Sequence, residues 1–572
     1  MKRVLALCAV VLFVLALVPT AYGAAGGKEK DTFVQLLAIN DFHGNLQPPS
    51  GSSGRIAVGP GQTVDAGGVQ YLATWIKSLR TTNPNTITIG AGDLIGASPL
   101  ISGLFHDEPT IEAMNAIGLD VTGVGNHEFD EGVAELLRMQ FGNQLGGDGC
   151  HPVDGCQDGT PFGGSLFQYL AANVFYEHTE NTILPPYEIH KVGNAKIAFI
   201  GLTLEGTPLI VTPAGVAGLE FQPEVPTVND LVAKLRAEQG IRAFVVLIHQ
   251  GGQQKAPFPL GYQDSDRCDN FTGDIIPIVN GLSNDVDVVV SAHTHQPYIC
   301  RINGKLVTSA SSFGRLITDI DLRIDHQTKD IEHASAHNVI VLRNVASDPD
   351  QLAIINKYDA LSGPIANRVV GSQTADILRV ATPAGETALG DVIADAQLAS
   401  TSPTDFGGAV VAFMNPGGIR ADLVCTPPCV SGPAPVTYNQ LFTVQPFNNV
   451  MTVKTMTGDM IYRLLGQQFT VAPPPNFRIL QVSDGFTYEW SSDPTPHVID
   501  GSVEIDGVPV DKAASYRVAM NNFLASGGDG FSVFNEGTDP LGGEIDLDAL
   551  VNYFMHNSPV APGPQNRITR VP

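Results

Sequence analysis

The sequence is poor in positive charge. Its 572 residues contain 32 lysines and arginines against 58 aspartates and glutamates, which gives a formal net charge of −26. Because a protein that binds a nucleic-acid polymer needs a basic surface, this composition argues against that function. An anionic substrate must instead be attracted by a local positive centre, such as a metal ion, since the overall field repels it.

Long hydrophobic runs are also scarce. One occupies residues 4–18, where it follows Lys2 and Arg3 and precedes small residues around Gly23. This order is typical of a secretory signal peptide, and the run is shorter than the roughly 20 residues that a membrane span needs. No second run of that length follows. We therefore expect a signal peptide over 1–23, cleaved near Gly23, and an exported chain without a membrane span that is periplasmic, cell-wall associated or secreted.

The sequence has no CxxC pair, which argues against a cysteine-based metal site. Apart from Cys8 in the predicted signal, six cysteines remain, an even number that suits disulfides in an oxidising compartment. Six cysteines allow fifteen connectivities. Pairing the local loops first favours Cys150–Cys156, Cys268–Cys300 and Cys425–Cys429.

The chain is too long for one hydrophobic core, and no internal repeat or low-complexity tract stands out. Short β-rich runs alternate with amphipathic stretches over 32–341, which indicates an α/β domain. A polar, helix-like segment with an internal proline, 347–371, then predicts a helical linker or hinge. A second alternation over 372–562 predicts a second α/β domain.

Polar side chains follow five apolar runs of the first domain, at the point where each predicted strand ends. In open α/β sheets, ligand sites lie outside the carboxyl ends of the strands. The five segments are QLLAINDFHG with Asp41 and His43, NTITIGAGDLIGASPL with Asp93, GVGNHEFDEG with Asn126, His127, Glu128 and Asp130, AFVVLIHQGG with His249, and DVDVVVSAHTHQP with His293 and His295.

These residue types suit metal binding. Carboxylate, imidazole and amide oxygen are ligands of divalent ions such as Zn²⁺ and Mn²⁺. The seven candidate ligands are too many for one ion, but with Asp93 bridging they suit two ions that hold a hydroxide for in-line attack on phosphorus. His293 and His295 alternate along a predicted strand and should face the same side. Taken singly, each residue also fits a loop histidine or a turn or cap carboxylate.

At this point the motifs resemble a known family. DFHG, GDLIGASP, GNHEFD, IHQGG and AHTHQP, in this order, resemble the calcineurin-like metallophosphoesterases. MNPGGIR (414–420), PFNN (446–449) and NNFLASGGDGF (521–531) resemble the second domain of the secreted 5′-nucleotidase / UDP-sugar hydrolase family. The resemblance implies an α/β sandwich of two sheets flanked by helices, followed by an α/β nucleotide-binding domain.

The resemblance also implies roles for the metal-site residues. One ion would be held by Asp41, His43 and His295, the other by Asn126, His249 and His293, with Asp93 shared between them. His127 would not be a ligand but would stabilise the transition state or protonate the leaving oxygen. Asp130 would orient the imidazole of His127, and Glu128 is interpreted as structural.

In the second domain, the resemblance implies a substrate pocket. Arg420 would contact phosphate, Phe447 and Phe523 would hold a base between their rings, and Asp529 would accept hydrogen bonds from ribose, with Asn415 and Asn449 nearby. Family members often carry further arginines before a segment like ETALGDVIADAQ (386–397), where Arg379 is the one arginine close by in this chain.

The sequence therefore predicts an exported, two-metal hydrolase of nucleoside 5′-monophosphates, with UDP-sugars or 2′,3′-cyclic nucleotides as further substrates. Zinc or manganese is the first expectation for the ions, ahead of magnesium, cobalt or calcium. The partner is a nucleotide, not a nucleic-acid polymer, and the chain should be a monomer. Two alternatives remain: a related dimetal hydrolase of sulfur esters, and a non-catalytic binding protein with a residual metal site.

Overall fold

The computed structural model describes residues 30–572, except 50, 154, 212–213, 256–261, 431, 448 and 473–476. The predicted signal peptide over 1–23 lies outside the described residues. The chain forms two α/β domains joined by a helix, as predicted. Among the described residues, no helix is both long and apolar enough to cross a membrane.

The first domain is built on two six-stranded sheets. In the first sheet, the strand Thr32–Ile39 runs parallel to Thr86–Ala91 and antiparallel to Leu316–Ile324. The spatial order is Ile331–Ile340, Leu316–Ile324, Thr32–Ile39, Thr86–Ala91, Val121–Gly123 and Gln168–Leu170.

The second sheet has four parallel strands in its centre and an antiparallel strand at each edge. Every residue of its strand Ala243–His249 is buried, because the other sheet covers one face and helices cover the other. The spatial order is Pro297–Ile302, Lys305–Ala310, Val288–Ser291, Ala243–His249, Ala195–Thr203 and Tyr187–Val192.

Apolar side chains from both sheets, such as Leu36 and Val245, share one core between them. Helices pack on the outer faces, with further cores beneath them. The helices of this domain are Val69–Leu79, Leu100–Gly103, Glu108–Ile117, Val133–Phe141, Glu224–Gln239 and Ile275–Gly281. Two short antiparallel strand pairs complete it, Arg55–Gly59 with Gln62–Asp65 and Val174–Tyr176 with Leu219–Phe221.

The connecting helix is Pro349–Ala366, which contains Pro364 and begins at an Asp348 cap whose side chain accepts two backbone N–H bonds. It packs on the first domain, where Tyr358 is buried and donates a hydrogen bond to Glu112 at 2.8 Å. The predicted linker is therefore a helix attached to the first domain. Two residues separate it from the first strand of the second domain, Val369–Gln373.

The second domain contains a five-stranded sheet in the spatial order Gln481–Val482, Val411–Met414, Ser515–Asn521, Val450–Thr457 and Thr538–Ile545. A smaller sheet is formed by His497–Val498, Phe486–Ser491, Glu504–Ile505, Val508–Pro509 and Ile568–Val571. Val369–Gln373 pairs with Ala434–Thr437. The helices are Ala388–Thr401, Tyr438–Val444, Gly458–Gln467, Asn522–Ala525 and Asp546–Asn557.

The structure contains the three predicted disulfides. Two lie in the first domain, and the third lies in a loop of the second. They join Cys150 to Cys156, Cys268 to Cys300, and Cys425 to Cys429.

Candidate active site

The five predicted strand ends meet at one edge of the two sheets. Asp41 and His43 follow the strand Thr32–Ile39, and Asp93 follows its parallel neighbour Thr86–Ala91. His249 is the last residue of a central strand of the other sheet. The paired sheets thus bring side chains that are far apart in sequence to one place.

Several of these residues have a left-handed backbone, which non-glycine residues rarely adopt. The φ angles are 49° for Asp41, 47° for His43, 49° for Asp93, 71° for His293 and 56° for His295. The last two correct the expectation that both histidines alternate along a strand, because the strand ends at Ser291 and they lie in the following loop. Strained backbone of this kind concentrates at functional sites.

One group of metal-ligand atoms comes from Asp41, His43 and His295, whose donor atoms all lie within 4.8 Å of one another. The Nε2 atoms of the two histidines face each other at 3.1 Å. Nε2 of His295 lies 3.5 Å from an oxygen of Asp41. Two ring nitrogens and a carboxylate therefore surround one point.

A second group comes from Asp93, His249 and His293. Nε2 of His249 lies 2.9 Å from Oδ2 of Asp93, and the same oxygen is 3.6 Å from Nε2 of His43 in the first group. Asp93 therefore lies between the two groups, which is the position expected of a shared ligand.

Backbone carbonyls orient two of the imidazoles. Nδ1 of His43 donates to the carbonyl of Gly96, and Nδ1 of His249 donates to that of Ala91, both at 2.8 Å. These bonds place the proton on Nδ1 and turn Nε2 towards the carboxylates, as is usual for histidine ligands. Burial lowers the pKa of His43 to about 3, so its ring is neutral and its lone pair is available.

The residues present fit a pair of metal ions. Oδ1 of Asn126 is buried and has no hydrogen-bond partner, and Nε2 of His249 makes no aligned hydrogen bond although Asp93 is close. Such orphaned atoms cost free energy unless another group satisfies them. An oxygen- and nitrogen-binding cation at this place would do so.

His127 and Asp130 form a hydrogen-bonded pair beside these groups, with 2.7 Å between Nδ1 and Oδ2. Burial lowers the pKa of His127, but Asp130 and Asp93 outweigh this effect and raise the pKa above its ordinary value. Nε2 of His127 is left to face the site. His127 also lies close enough to His43 and Asp93 to act as a ligand, so its distance alone does not assign its role.

Glu128 belongs to the scaffold of the site. Its buried carboxylate accepts backbone N–H bonds from Asp93 at 2.9 Å, Leu94 at 2.8 Å and Gly125 at 2.6 Å. These bonds hold two strand ends together. Gly125 is required here, because a Cβ atom would lie 2.1 Å from an oxygen of Asp93.

A cavity of about 340 Å³ lies between the domains and reaches this site. The volume suits a small-molecule ligand. Its walls include residues of the first domain, namely Asn126, His127, Asp130 and His293, and all six predicted substrate residues of the second, namely Asn415, Arg420, Phe447, Asn449, Phe523 and Asp529.

Hydrogen bonds fix the polar wall of the second domain. Asn415 donates to Oδ2 of Asp529 at 3.0 Å, and Arg478 donates to Oδ1 at 2.8 Å. Asn521 donates to Oδ1 of Asn415 at 3.0 Å. Asn449 instead donates to Asp546 at 3.3 Å, so it lines the cavity without joining this network.

The two predicted aromatic residues occupy different positions in the cavity. The ring of Phe447 stacks on His127 of the other domain, with centroids 5.6 Å apart and planes 11° apart, and Arg420 lies over its ring at 5.6 Å. The ring of Phe523 lies over Gly528, where a Cβ atom would meet it at 2.6 Å. Phe447 therefore contacts His127 of the first domain, whereas Phe523 packs on Gly528 of its own domain.

Sequence reasoning missed Arg478, which lines the cavity and holds Asp529. A single arginine in FRILQVSDG has no spacing or partner in the sequence that would mark it. Arg379, which the sequence did not place, lies with Arg420 in the wall of an adjoining groove of about 830 Å³, which also reaches His295.

Comparison with known proteins agrees with this geometry. Residues 34–297 match the family model of the calcineurin-like phosphoesterases, and residues 369–536 match that of the 5′-nucleotidase C-terminal domain.

Two relatives match over most of the chain. The chain is 32% identical to the endonuclease YhcR of Bacillus subtilis over 557 residues, which cover 95% of the chain and 42% of that protein. It is 30% identical to the cell wall protein Lmo0130 of Listeria monocytogenes over 549 residues, which cover 91% of the chain and 67% of that protein. The chain thus spans less than half the length of the Bacillus relative.

Among solved structures, the fold is similar to that of a 5′-nucleotidase precursor from Thermus thermophilus. The TM-score is 0.73 at 23% identity, with 94% of this chain and 99% of that one covered. The chain therefore belongs to the family that joins a calcineurin-like metallophosphoesterase domain to a 5′-nucleotidase C-terminal domain.

Proposed function

We propose that the chain is an exported two-metal hydrolase that releases phosphate from nucleoside 5′-monophosphates. The observation that carries this proposal is the cavity between the domains. It is lined by His127 and the candidate metal ligands Asn126 and His293 of the first domain and by Phe523 and Asp529 of the second. In this proposal, 32–341 is the catalytic domain, 347–371 the linker and 372–562 the substrate-binding domain.

The two ions would be held as the donor groups suggest. Asp41, His43 and His295 would hold one, Asn126, His249 and His293 the other, and Asp93 would bridge them. When bound, such ions activate water as a nucleophile and neutralise charge on the phosphoryl oxygens.

The protein's own residues supply the remaining chemistry. Nδ1 of His127 is held by Asp130, so Nε2 can hydrogen-bond to a phosphoryl or leaving oxygen and carry a proton to it. Arg420 lies over Phe447 at the cavity wall, where its guanidinium can bind phosphate. Closure of the second domain over the first would exclude water and align the ester with the nucleophile.

The second domain accounts for the nucleoside. Phe447 and Phe523 offer aromatic faces for a base, and stacking accepts any base. The carboxylate of Asp529, fixed by Asn415 and Arg478, faces the cavity as an acceptor for ribose hydroxyls. A hydrolase of sulfur esters would need neither feature.

The adjoining groove favours a second substrate class. It is lined by Arg55, Arg315, Arg379 and Arg420, and it meets the metal-ligand groups at His295. Arginines bind phosphate through paired N–H groups. The groove therefore suits substrates with a second phosphate and a bulky group, such as nucleotide sugars. The three disulfides support export, because disulfides persist in oxidising compartments.

The test measures phosphate release from AMP by the full chain before and after exhaustive chelation. We expect activity to disappear on chelation and to return on addition of Zn²⁺ or Mn²⁺. Full activity after metal removal, verified by metal analysis of the same sample, would rule out the two-metal proposal.

A binding measurement separates the substrate classes. Adenosine should raise the melting temperature of the metal-loaded chain, since it binds the folded state only. The matched control is ribose, which lacks the base and should give a smaller shift. An unchanged melting temperature with adenosine would contradict the nucleoside pocket and favour the sulfur-ester alternative.

A further inference from the structure

Three potential metal ligands converge on the surface of the first domain, apart from the candidate metal ligands of the active site. They lie beside the active-site cavity, whose wall includes Glu131. His106 lies in the turn before the helix Glu108–Ile117, and Glu131 lies in the turn before Val133–Phe141. His151 lies in the loop closed by the Cys150–Cys156 disulfide. Their donor atoms all lie within 4.8 Å of one another, and the proposed phosphate-releasing chemistry uses none of them.

The two imidazoles present their nitrogens to one carboxylate. Nδ1 of His106 lies 2.7 Å from Oε2 of Glu131, and Nε2 of His151 lies 4.0 Å from the same oxygen. The rings stack with centroids 3.4 Å apart and planes 25° apart. A simple ion pair needs only one histidine, and the second makes no hydrogen bond to Glu131. The three donor atoms lie close enough together to hold one cation, which would replace the hydrogen bond between His106 and Glu131.

The loop that carries His151 is positioned independently of this contact. The carboxylate of Glu108 accepts bonds from the backbone N–H of Cys156 at 2.7 Å and of His151 at 3.2 Å. The guanidinium of Arg138 donates to the carboxylate of Glu108 at 2.6 Å and to the carbonyl of Gly149 at 2.9 Å. His151 is therefore held in place before any ion binds, which reduces the entropy lost on binding.

The local chemistry also suits a cation. Nδ1 of His151 lies 3.0 Å from the carbonyl oxygen and 3.2 Å from the backbone nitrogen of Val153, and these contacts leave Nε2 on the side of Glu131. The nearby guanidinium of Arg138 is paired with Glu108 and Glu135, each at 2.6 Å, so its charge is compensated. Glu131 has a side chain that is 47% exposed, and both histidine side chains are 20% exposed, which gives an ion access from solvent.

We propose that His106, Glu131 and His151 form a third divalent-metal site that takes zinc. Two imidazoles and a carboxylate are a known zinc ligand set, with a fourth position left to water. An ion here would join three segments of the domain, and Glu131 directly follows Asp130 of the catalytic pair. The ion would have a structural role, since it lies apart from the metal-ligand groups of the cavity. It would hold the segment that carries His127 and Asp130.

The test is equilibrium dialysis of the full chain against micromolar Zn²⁺, followed by metal analysis. The double variant His106→Gln/His151→Gln should bind one zinc less per chain than the parent, whatever number the active site holds. Glu131→Gln should weaken binding of that zinc by at least about 10-fold, because even the loss of a residue that only supports a metal ligand typically costs about 10- to 100-fold in affinity. The matched control is His337→Gln, which removes a histidine paired with one carboxylate, Asp266, and should leave the zinc content unchanged.

A second measurement keeps the test independent of folding and of the active site. Crystals grown with zinc should give an anomalous peak between the three side chains, and the double variant should lack it. Zinc should also raise the melting temperature of the parent more than that of the Glu131→Gln variant. Equal zinc contents in parent and double variant, or no anomalous peak at this cluster, would overturn the proposal even if the active site binds its two ions.

Discussion

The two sides of the active-site cavity are built differently. On the first domain's side, Asp41, Asp93 and His249 are buried at or just after the ends of central strands. The carbonyl of Ala91 holds the ring of His249, and the carboxylate of Glu128 holds the backbone of Asp93. On the second domain's side, Phe523 and Asp529 lie at a short helix and the turn that follows it. A mutual network of side chains holds that turn.

The difference matches the demands of the two tasks. Metal-assisted chemistry requires donor atoms fixed to within fractions of an ångström, which buried strand ends provide. Recognition of a nucleoside tolerates more variation in the positions of the contacting atoms. It also requires that the substrate can enter the cavity. The second domain follows the connecting helix after two residues and contributes none of the candidate metal ligands. Substitutions on the two sides should therefore change different kinetic constants.

The largest effect is expected from His127→Ala. Loss of the proton donor should lower kcat for AMP by about 10²–10⁴-fold while the metal content stays the same. Steady-state kinetics and metal analysis of the same preparation provide the measurement.

His249→Ala is the matched contrast, because it removes a histidine from the same side of the cavity that is assigned as a ligand. It should lose metal and activity together. If His127→Ala also loses metal, then His127 is a ligand, which its proximity to His43 and Asp93 permits.

An intermediate effect is expected from Phe523→Ala on the other side. Loss of a stacking face worth about 1–3 kcal/mol should raise KM for AMP about 5- to 150-fold with little change in kcat. The substrate control is ribose 5-phosphate, whose KM should stay the same because it has no base. Phe447→Ala should change kcat as well, since that ring also packs on His127.

The variant control is Phe406→Ala, which removes an exposed phenylalanine from the surface of the same domain. It should leave both constants unchanged. An equal rise in KM for AMP and ribose 5-phosphate in Phe523→Ala would show that Phe523 does not contact the base.

The smallest effect is expected on the stability of the first domain, from a residue that lies on neither side of the cavity. Burial, reinforced by Asp330 and Asp285, raises the pKa of Asp287 to about 8. Between about pH 4 and pH 8, the folded state then binds a proton that the unfolded state releases, so the free energy of unfolding falls as the pH rises. Asp287→Asn removes this loss. Between pH 6 and pH 9, the free energy of unfolding of the variant should therefore rise by on the order of 1 kcal/mol relative to that of the parent. Urea unfolding at the two pH values provides the measurement.

Asp321→Asn, which changes an exposed carboxylate of the other sheet, is the control and should follow the parent at both pH values. A parent and an Asp287→Asn variant with the same pH dependence would show that Asp287 is ionised in the folded chain. Since Asp287 lies apart from the cavity, kcat and KM for AMP should not change.

Much of this site was predictable from the sequence because a general rule brings its parts together. Polar residues after five apolar runs predict a common site, since parallel strands end at the same edge of a sheet. The rule needs no knowledge of side-chain conformation. It was wrong only in detail for His293 and His295, because the sequence does not reveal that the strand ends at Ser291 and the chain turns before them. The disulfides were predictable for a similar reason, since each closes a short or moderate loop.

The sequence by itself thus determined the two-domain α/β organisation and the order of the candidate donors along the chain. Only the tertiary structure decided which donors share a point in space, that Phe447 rests on His127, and that Arg478 holds Asp529. It also decided that His106, Glu131 and His151 converge, although no strand end or motif joins them. These contacts depend on how turns and domains pack, and packing is set by many weak interactions distributed over the whole chain.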